Sequence, residues 1–532
     1  MILVRNIRLP LSCGEQEAEA QALKMLHLAP GRVAHCGVAK LSVDARRGAP
    51  VLVYTIAVTL RDEGEESAFA GASPYVCISH KPVFSFSKAG QPLKNPPVVC
   101  GLGPAGLFAA LLLARNGYRP VVLERGPALE QRVRAVEHFE EIGELDVNAN
   151  LQFGEGGAGT FSDGKLTTRV GDPLCAFVTQ ALLEHGAPKD IAWRQKPHVG
   201  TDLLQGVIKS VRQEIERLGG TVHFQTPLTG LRTQNGKLCA VVTPEGEVPC
   251  EALILAVGHS ARDTFSMLHQ LGLPMECKPF SVGMRAEHLQ TEIEKSLYHA
   301  AAGHPALPHG EYQLSQHVGE RCVYTFCMCP GGRVVAAASE EGGVVTNGMS
   351  YHARSGSNAN AAVVVSVDGR DFDQDPIKAV AFQQKLEQAA YRAGVQAAPY
   401  AAPAETVGSF LDGRGRLELG MVQPTYPRGV VPYDLGSLLP GELADTLRAG
   451  LRAFGRKMAA YRAPDAVLTG LETRTSSPVR LLRGENMECL GMPGLYPCGE
   501  GAGYAGGIMT AAVDGVRCAA QLMSCHTPSA GC

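Results

Sequence analysis

The chain has 532 residues, of which 45% are hydrophobic and 19% are charged, and this balance is typical of a globular protein with a large buried core. Its 49 basic and 52 acidic side chains leave a formal net charge of -3, and no block of basic residues indicates a nucleic-acid surface. No apolar run reaches the roughly 20 residues of a membrane helix, and the first residues lack a secretory signal. We therefore expect a cytoplasmic protein of roughly three domains, with no membrane span and no nucleic-acid partner.

The first eighty residues predict a small α+β module. ILVRNIRLPL has the pattern of a strand, EQEAEAQALKML that of an amphipathic helix, and VAHCGVAKLSV and VLVYTIAVTL those of two further strands. Residues 81–96 are rich in glycine, proline and polar side chains, which is typical of a linker. The module, residues 1–80, carries no motif that indicates a reaction.

The segment PPVVCGLGPAGLFAALLLARNGYRPVVLERG predicts a strand, a tight turn, a helix and a second strand. Gly101, Gly103 and Gly106 form the G-x-G-x-x-G pattern, which allows a tight turn, close approach to a pyrophosphate and close helix–strand packing. The N–H groups at the helix N-terminus suit a diphosphate. Glu124, about 20 residues on, can accept hydrogen bonds from ribose hydroxyls and disfavours a 2′-phosphate. The turn predicts a site for FAD or NAD, formed by Gly101, Gly103, Pro104, Ala105, Gly106, Glu124 and Arg125.

The following segments favour FAD. LLQGVIKSVRQEIERLGGTVHFQ predicts a helix and a strand that can extend the same parallel sheet. TGLRTQNGKLCAVVTPEGEVPCEALILAVGHSA predicts a small β-meander before a buried strand. The meander resembles that of the glutathione-reductase-like flavoproteins, in which the glycine after the last strand packs against the cofactor. Gly258 stands in that position.

The C-terminal stretch GLYPCGEGAGYAGGI resembles the second flavin motif of the same superfamily, in which a strand ends at Gly-Asp. Gly499 and Glu500 take these positions, and an acid there can accept a hydrogen bond from the ribityl chain of FAD. Gly506, Gly507 and Ile508 begin a helix whose N-terminus would face the pyrimidine ring of the flavin. NAD has neither of these groups, so we expect non-covalently bound FAD.

A third glycine-rich loop, NLQFGEGGAGTFSDGKLTTR, spans residues 150–169, and its small residues allow the backbone to lie against a flat ring. It is similar to loops that line the flavin in the fumarate-reductase and geranylgeranyl-reductase branches of the superfamily. An ordinary mobile surface loop is the alternative. The predicted flavin contacts are Gly156, Gly157, Gly159 and Thr160. Asp163 and Lys165 are candidate contacts of the flavin or the substrate.

The chain resembles the uncharacterised FAD-dependent dehydrogenase family, within the glutathione-reductase-like two-dinucleotide-fold flavoproteins, in six motifs: GEGGAGTFSDGKLTTR, AVGHSARDT, YTFCMCPGGRVVAA, SEEGGVVTNGMSYHARSGSNANAAVVV, ETRTSSPVR and CGEGAGYAGGI. The resemblance covers nearly the whole chain. It implies an α/β fold with a Rossmann-like, three-layer β-β-α FAD-binding domain, formed by residues 97–270 and 471–525 and built on a parallel sheet and a β-meander. An inserted α+β substrate domain would span residues 271–470.

The insertion is expected to cap the flavin and to form the substrate pocket. Its motif strings contain the candidate pocket residues Arg285, Asn347 and Arg354, and Lys165 in the third glycine loop is a further candidate. Arg474 lies in the ETRTSSPVR loop, which leads back to the flavin. Purely structural duties are the alternative for each of these residues.

Hydride transfer belongs to the flavin N5 atom, so the protein needs to supply orientation and at most one acid or base. His259, after the strand ALILAVG, and Tyr504, in the C-terminal flavin turn, are the candidate catalytic residues. We expect an FAD-dependent oxidoreductase of dehydrogenase or C=C reductase type that acts on an unidentified small molecule. An aromatic hydroxylase that uses O₂ and a non-catalytic flavin-binding scaffold are the alternatives. Because no second nucleotide-binding glycine turn follows Gly106, NAD(P)H would bind only transiently, and a protein electron carrier is a further candidate partner.

Sixteen cysteines are scattered along the chain and are expected to be reduced thiols, and their spacing predicts no metal site. Cys327 and Cys329 form a C-x-C pair beside the strand VYTF, not the C-x-x-C of redox and zinc motifs. We expect this pair to pack in the core, with a redox relay as the alternative.

Overall fold

The computed structural model of the protein describes residues 1–46, 48–71, 73–80, 82–168 and 170–529. Lys81, the first residue of the predicted linker, and Arg169, the last residue of the third glycine loop, lie outside the described residues. None of the helices in the described ranges is long and apolar enough to cross a membrane.

The N-terminal module contains the predicted strands and helix. Its elements are β1 Ile2–Pro10, α1 Glu15–Met25, β2 Val33–Asp44, β3 Val51–Leu60 and β4 Val76–Ile78. The strands form an antiparallel sheet in the order β2-β3-β1-β4. The module is joined to the rest of the chain at the free edge of β2, where the Leu41 N–H donates to the Trp193 carbonyl over 2.8 Å.

The next part of the chain alternates strands and helices, as the sequence predicts. Its elements are β5 Gln91–Pro92, β6 Val98–Cys100, α2 Pro104–Arg115, β7 Val121–Leu123, α3 Leu129–Ile142, α4 Leu174–Glu184, α5 Thr201–Arg217, β8 Thr221–His223, β9 Gly230–Gln234, β10 Lys237–Thr243, β11 Gly246–Pro249, β12 Leu253–Leu255 and α6 Arg262–Gln270.

The insertion and the C-terminal segment follow. The insertion contains β13 Met275–Cys277, β14 Phe280–Leu289, α7 Gln290–Tyr298, β15 Ser315–Val318, β16 Arg321–Cys329, β17 Arg333–Ala336, β18 Thr346–Met349, β19 Asn358–Val367, α8 Pro376–Gly394, β20 Ala402–Thr406, α9 Val407–Asp412, β21 Val430–Pro432, α10 Gly441–Lys457 and β22 Val467–Glu472. The C-terminal segment contains β23 Val479–Leu481, β24 Leu495–Pro497, α11 Ile508–Cys525 and β25 His526–Thr527.

A five-stranded parallel sheet in the order β24-β12-β6-β7-β8 forms the centre of the α/β part. The prediction that β8 extends the sheet is confirmed by its parallel pairing with β7, and the predicted meander is the antiparallel sheet β11-β10-β9. Helices α2 and α11 pack so closely that a Cβ on Gly515 would lie 2.0 Å from the Ala105 carbonyl oxygen. The C-terminal segment is therefore an integral part of the domain that begins near residue 97.

The insertion is built on a seven-stranded sheet in the order β15-β16-β19-β14-β22-β20-β21. We call this the insertion sheet. Strands β14 and β19 lie at its centre, pair over their whole lengths, and are almost completely buried. Strand β22 ends at Glu472, so the sheet extends slightly past residue 470, the predicted end of the insertion. The chain then returns to the parallel sheet through β23, which pairs with β13.

Candidate flavin and substrate site

A cavity of about 780 Å³ lies between the parallel sheet and the insertion sheet. On one side its walls are the segments that follow β6, β12 and β24, which all end at the same edge of the parallel sheet. Open α/β sheets bind their ligands at the carboxyl ends of the strands. The opposite wall comes from the insertion sheet and from the segments beside it.

The first glycine turn lies at this cavity, and two of its glycines, Gly101 and Gly106, have no room for a side chain. Gly101 has a φ of 97°, and a Cβ there would lie 2.3 Å from the Ala256 carbonyl oxygen. A Cβ on Gly106 would lie 1.8 Å from the Gly101 carbonyl oxygen. Gly106 is therefore a packing residue beneath the turn, whereas the cavity is lined by Gly101, Gly103, Pro104 and Ala105.

Glu124 follows β7, lines the cavity together with Arg125, and is buried. Its carboxylate accepts backbone N–H hydrogen bonds from Leu102 over 2.7 Å, from Gly126 over 2.9 Å and from Gly154 over 3.0 Å. A carboxylate has about four acceptor positions, which leaves room for a ribose hydroxyl. Glu124 thus also connects the first glycine turn to the third glycine loop.

The third glycine loop is held in place by a buried arginine. Arg132, on α3, is fully buried and donates to the carbonyl oxygens of Asn150, Leu151 and Glu155 over 2.7–3.0 Å. Such a network favours a fixed cavity wall over a mobile surface loop. Of the predicted contacts, Gly157 and Gly159 line the cavity, whereas Gly156 and Thr160 lie beneath it and support the loop.

The second flavin motif and the segment after β12 meet on the same side of the cavity. A Cβ on Gly501 would lie 2.5 Å from the Gly258 carbonyl oxygen. The His259 Nδ1 atom lies 3.2 Å from a Glu500 carboxylate oxygen, so the candidate base contacts the candidate ribityl ligand. Among the described residues, no atom forms a hydrogen bond with His259 Nε2. The predicted residues that line this side are Gly258, His259, Gly499, Glu500, Gly506, Gly507 and Ile508.

Tyr504 has a different environment from the one its candidate role requires. Its hydroxyl donates to the Leu481 carbonyl over 3.0 Å, and the Arg483 guanidinium lies 3.7 Å from the centre of its ring. Arg483 in turn pairs with the buried Asp514 of α11, whose carboxylate accepts the Gly499 N–H over 2.8 Å. Tyr504 does not line the cavity. This placement favours a structural role, which supports the turn at Gly499.

The residues present fit FAD. Crowded glycine backbones, the N-termini of α2 and α11, and acidic groups beside two strand ends converge on one cavity. The first glycine turn and Glu124 would hold the adenosine diphosphate, and the N-terminus of α11, Glu500 and the third loop would hold the ribityl chain and the ring.

The opposite wall contains a titratable group that the sequence did not single out. Glu472 ends β22, lines the cavity and is only 3% exposed. Its Oε2 atom lies 2.9 Å from Arg285 Nε, but the pair lacks hydrogen-bond alignment, and Oε2 accepts no hydrogen bond from any described residue. Burial raises the pKa of Glu472 to about 7, although Arg285 favours the charged form. This carboxyl is therefore able to exchange a proton near neutral pH.

The candidate pocket arginines Arg285 and Arg354 are buried behind the cavity wall and do not line it. Arg285 donates to Asn347 Oδ1 over 2.8 Å, and Asn347 does line the cavity. Arg354 forms a two-pronged pair with Asp163 and also donates to Glu311 over 2.6 Å. These placements do not favour direct contact between either arginine and a substrate. Each arginine instead positions residues that line the cavity.

Lys165 lines the cavity and lies 2.5 Å from Asp163. Burial opposes the charge of Asp163, but Lys165 and Arg354 outweigh it and hold its pKa at about 2. Asp163 is therefore an ionised acceptor that orients both cations. Of the two cations paired with Asp163, Lys165 lines the cavity and Arg354 does not.

Arg474 lines the cavity but is committed to a buried network. Its guanidinium donates to Glu387 on α8 over 2.8–3.0 Å and to Ser260 over 3.0 Å, and Arg262 on α6 pairs with the same carboxylate. Burial opposes ionisation of Glu387, yet Arg474 and Arg262 together hold its pKa well below its usual range. The network connects the insertion to the segment after β12. No sequence motif marks Glu387 as a member of this network. Its partner Arg262 lies more than a hundred residues before it in the sequence.

Comparisons with known proteins agree with a flavin site. Residues 279–475 match the family described as FAD-dependent protein, C-terminal domain-like, and residues 1–59 match a domain of unknown function (DUF8436). A Clostridium beijerinckii protein, called uncharacterised, is 43% identical over 526 residues, which cover 98% of each chain.

The chain also has low-identity matches among solved structures. Glycine oxidase from Bacillus cereus has 13% identity and a TM-score of 0.35, over 81% of this chain and 95% of that chain. A geranylgeranyl bacteriochlorophyll reductase-like protein from Thermoplasma acidophilum has 12% identity and a TM-score of 0.34, over 82% and 79%. L-amino acid deaminase from Proteus vulgaris has 12% identity and a TM-score of 0.32, over 86% and 96%.

The domain match, the parallel sheet and the glycine-lined cavity define an FAD-binding flavoprotein. FAD is the cofactor that the domain match and the cavity support. The chain belongs to the same family as the Clostridium beijerinckii protein.

Proposed function

We propose that this protein is an FAD-dependent dehydrogenase or C=C reductase that acts on a small molecule in the cavity between the glycine turns and the insertion sheet. The observation that carries the proposal is Glu472, a buried carboxyl that lines this cavity and titrates near pH 7. A group with such a pKa can accept a proton in one direction of a redox reaction and return it in the other.

The chain's own residues would supply binding, orientation and proton transfer. The flavin, when bound, supplies hydride exchange. Arg285 lies beside Glu472 behind the wall, and Asn347 and Lys165 present an amide and a cation to the cavity. Thr325, Phe326 and Met328 add an apolar and hydroxyl surface to the same wall. A substrate that carries both a polar group and an oxidisable or reducible carbon centre matches this wall.

The first test is an absorbance spectrum of the purified full-length protein, followed by anaerobic addition of NADH and NADPH in separate cells. Bound flavin that one nucleotide bleaches without oxygen supports the proposal and identifies the electron donor. If neither bleaches it, reduced protein carriers and candidate reducing substrates are added under the same conditions. In air, NAD(P)H oxidation that an aromatic substrate stimulates, with insertion of oxygen into that substrate, contradicts the proposal in favour of a hydroxylase. A flavin that no donor reduces contradicts it in favour of a binding protein.

A further inference from the structure

The sequence predicts that the C-x-C pair packs in the core. The structure shows that only one of the two cysteines does so. Cys329 is fully buried, but Cys327 is half-buried and lines the cavity. The cause is a bulge in β16, where the pairing with β19 shifts register between Phe326 and Cys329. Cys327 has a φ of 43°, which is uncommon outside glycine, and bulges near active sites redirect side chains.

The i, i+2 spacing of the two cysteines on the strand lies within the range of a disulfide. In a regular strand, residues i and i+2 are separated by about 6.6 Å, close to the upper limit of about 6.8 Å between the Cα atoms of a disulfide. The register shift and the left-handed conformation of Cys327 make the strand depart from this regular geometry beside the pair. The Cys329 Sγ atom already turns back towards Cys327 and lies 3.4 Å from its carbonyl oxygen.

The surroundings distinguish the two thiols. The neighbouring Cys329 thiol lowers the pKa of Cys327 against the effect of burial. The cations Arg285 and Lys165 lower it further, whereas the charge of Asp163 opposes them. Glu472 also faces this thiol, and a charge on Cys327 raises the pKa of that carboxyl. The neighbouring Cys327 and burial raise the pKa of Cys329.

We propose that Cys327 and Cys329 form a redox-active dithiol in the wall of the cavity and exchange with small disulfides that enter it. Cys327 is the attacking group, since it is the thiol that reaches the cavity and is the better thiolate. Cys329 is the resolving group, buried next to it. Among the described residues no cluster of His, Cys, Asp and Glu is arranged to hold a metal ion, so metal binding does not explain the pair.

The exchange balances in two steps. The Cys327 thiolate attacks one sulfur of a small disulfide, a mixed disulfide forms, and the other half leaves as a thiolate that takes up the Cys327 proton. The Cys329 thiol then loses its proton and attacks the Cys327 sulfur, which releases the second half as a thiol. The dithiol is oxidised to a disulfide, and the small disulfide is reduced to two thiols. The proposal does not rest on the proposed flavin reaction. The disulfide state of the two cysteines can be measured without catalytic turnover.

The test uses the full-length chain with FAD added, equilibrated in buffers of reduced and oxidised dithiothreitol, then alkylated, digested and analysed by mass spectrometry. The expected result is a single peptide that contains a Cys327–Cys329 disulfide and is two hydrogen atoms lighter than its reduced form. Cys322→Ser is the matched control, because Cys322 lies on the same strand away from the cavity and should leave the result unchanged.

Trapping of the mixed disulfide identifies the attacking thiol. With 2-hydroxyethyl disulfide, the Cys329→Ser variant should accumulate a mercaptoethanol adduct on Cys327, and the Cys327→Ser variant should form none on Cys329. An adduct on Cys329 alone would reverse the roles and overturn the assignment. The proposal also fails if wild type forms no Cys327–Cys329 disulfide under the most oxidising buffer and Cys327 takes up no adduct in the Cys329→Ser variant.

Discussion

At the scale of single residues, the site depends on carboxylates whose surroundings differ. Glu387 lies between two arginines and stays ionised, whereas Glu472 is buried against one poorly aligned arginine and titrates near pH 7. Glu124 accepts hydrogen bonds from three backbone N–H groups. Its replacement would therefore disturb the first glycine turn and the third glycine loop as well as a bound cofactor. Of these carboxylates, Glu472 is the one suited to proton transfer.

Glu472→Gln should lower the rate of flavin reduction by the reducing substrate about 10²- to 10⁴-fold, the usual contribution of an acid–base group. In the wild-type protein, the carboxylate form of Glu472 takes up the proton of the substrate. The rate of flavin reduction by the substrate should therefore rise with pH through about 7. The variant should show no such rise. Anaerobic stopped-flow rates between pH 5 and 9 measure both effects, and an unchanged pH profile in the variant would contradict the role.

Glu472 also affects stability, with a defined sign. Its pKa is raised in the folded state from the ordinary 4.5 to about 7, so the folded protein binds the proton more tightly than the unfolded chain does. The resulting stabilisation is complete below about pH 4.5 and is lost as the pH rises through about 7.

Glu500→Ala should weaken FAD binding about tenfold to a hundredfold, because one hydrogen bond to a charged group contributes about 1.5–3 kcal/mol. Flavin fluorescence titration of the apoprotein measures the Kd. Glu245→Ala, an exposed change in the turn of the meander, is the matched control. Equal Kd values for the two variants would rule out the ribityl role of Glu500.

At the scale of elements, the glycine turn depends on contact between α2 and β6. Gly106→Ala should destabilise the protein by about 1–3 kcal/mol or more, since its Cβ would meet a backbone oxygen that cannot move independently. Gly206→Ala is the matched control: Gly206 is exposed in α5, has open space around it, and should be neutral or gain about 1 kcal/mol. Urea unfolding of both variants measures the difference, and equal midpoints would contradict close packing at Gly106.

Local elements could be predicted from the sequence because each depends on a local pattern. The strands and helix of the N-terminal module, the turn at Gly101 and the start of α11 at Ile508 all follow from spacing and glycine placement. Contacts between residues far apart in the sequence could not be predicted in this way. Nothing near Glu387 indicates Arg262 or Arg474, and the alternation of β16 does not reveal that a bulge turns Cys327 into the cavity. Glu472 lies within the recognised ETRTSSPVR motif, yet its burial against Arg285 depends on sheet pairing.

At the scale of the whole molecule, the Arg262–Glu387–Arg474 network joins the insertion to the α/β part. Glu387→Gln should destabilise the protein by about 3–5 kcal/mol, because it leaves two buried arginines without a carboxylate. Since the pKa of Glu387 is depressed, its stabilisation is present above about pH 4.5 and is lost only in stronger acid.

Thermal and urea unfolding at pH 7 measure this loss. Glu320→Gln removes an exposed pair with Arg370 and, as the control, should change stability by less than about 1 kcal/mol. If both variants unfolded at the same urea concentration, the network would have no role in joining the two parts.

The return of the chain to its own first domain has a consequence for synthesis. Strand β24 and helix α11 complete a sheet and a cavity whose other walls come from residues made some four hundred positions earlier. A growing chain must therefore be made as far as α11 before its first glycine turn acquires its neighbours. Truncated products that stop before Leu495 would contain the module, the insertion and the G-x-G-x-x-G turn, yet one side of the cavity would be missing. Retention of the cofactor is therefore expected only of chains whose synthesis has passed α11.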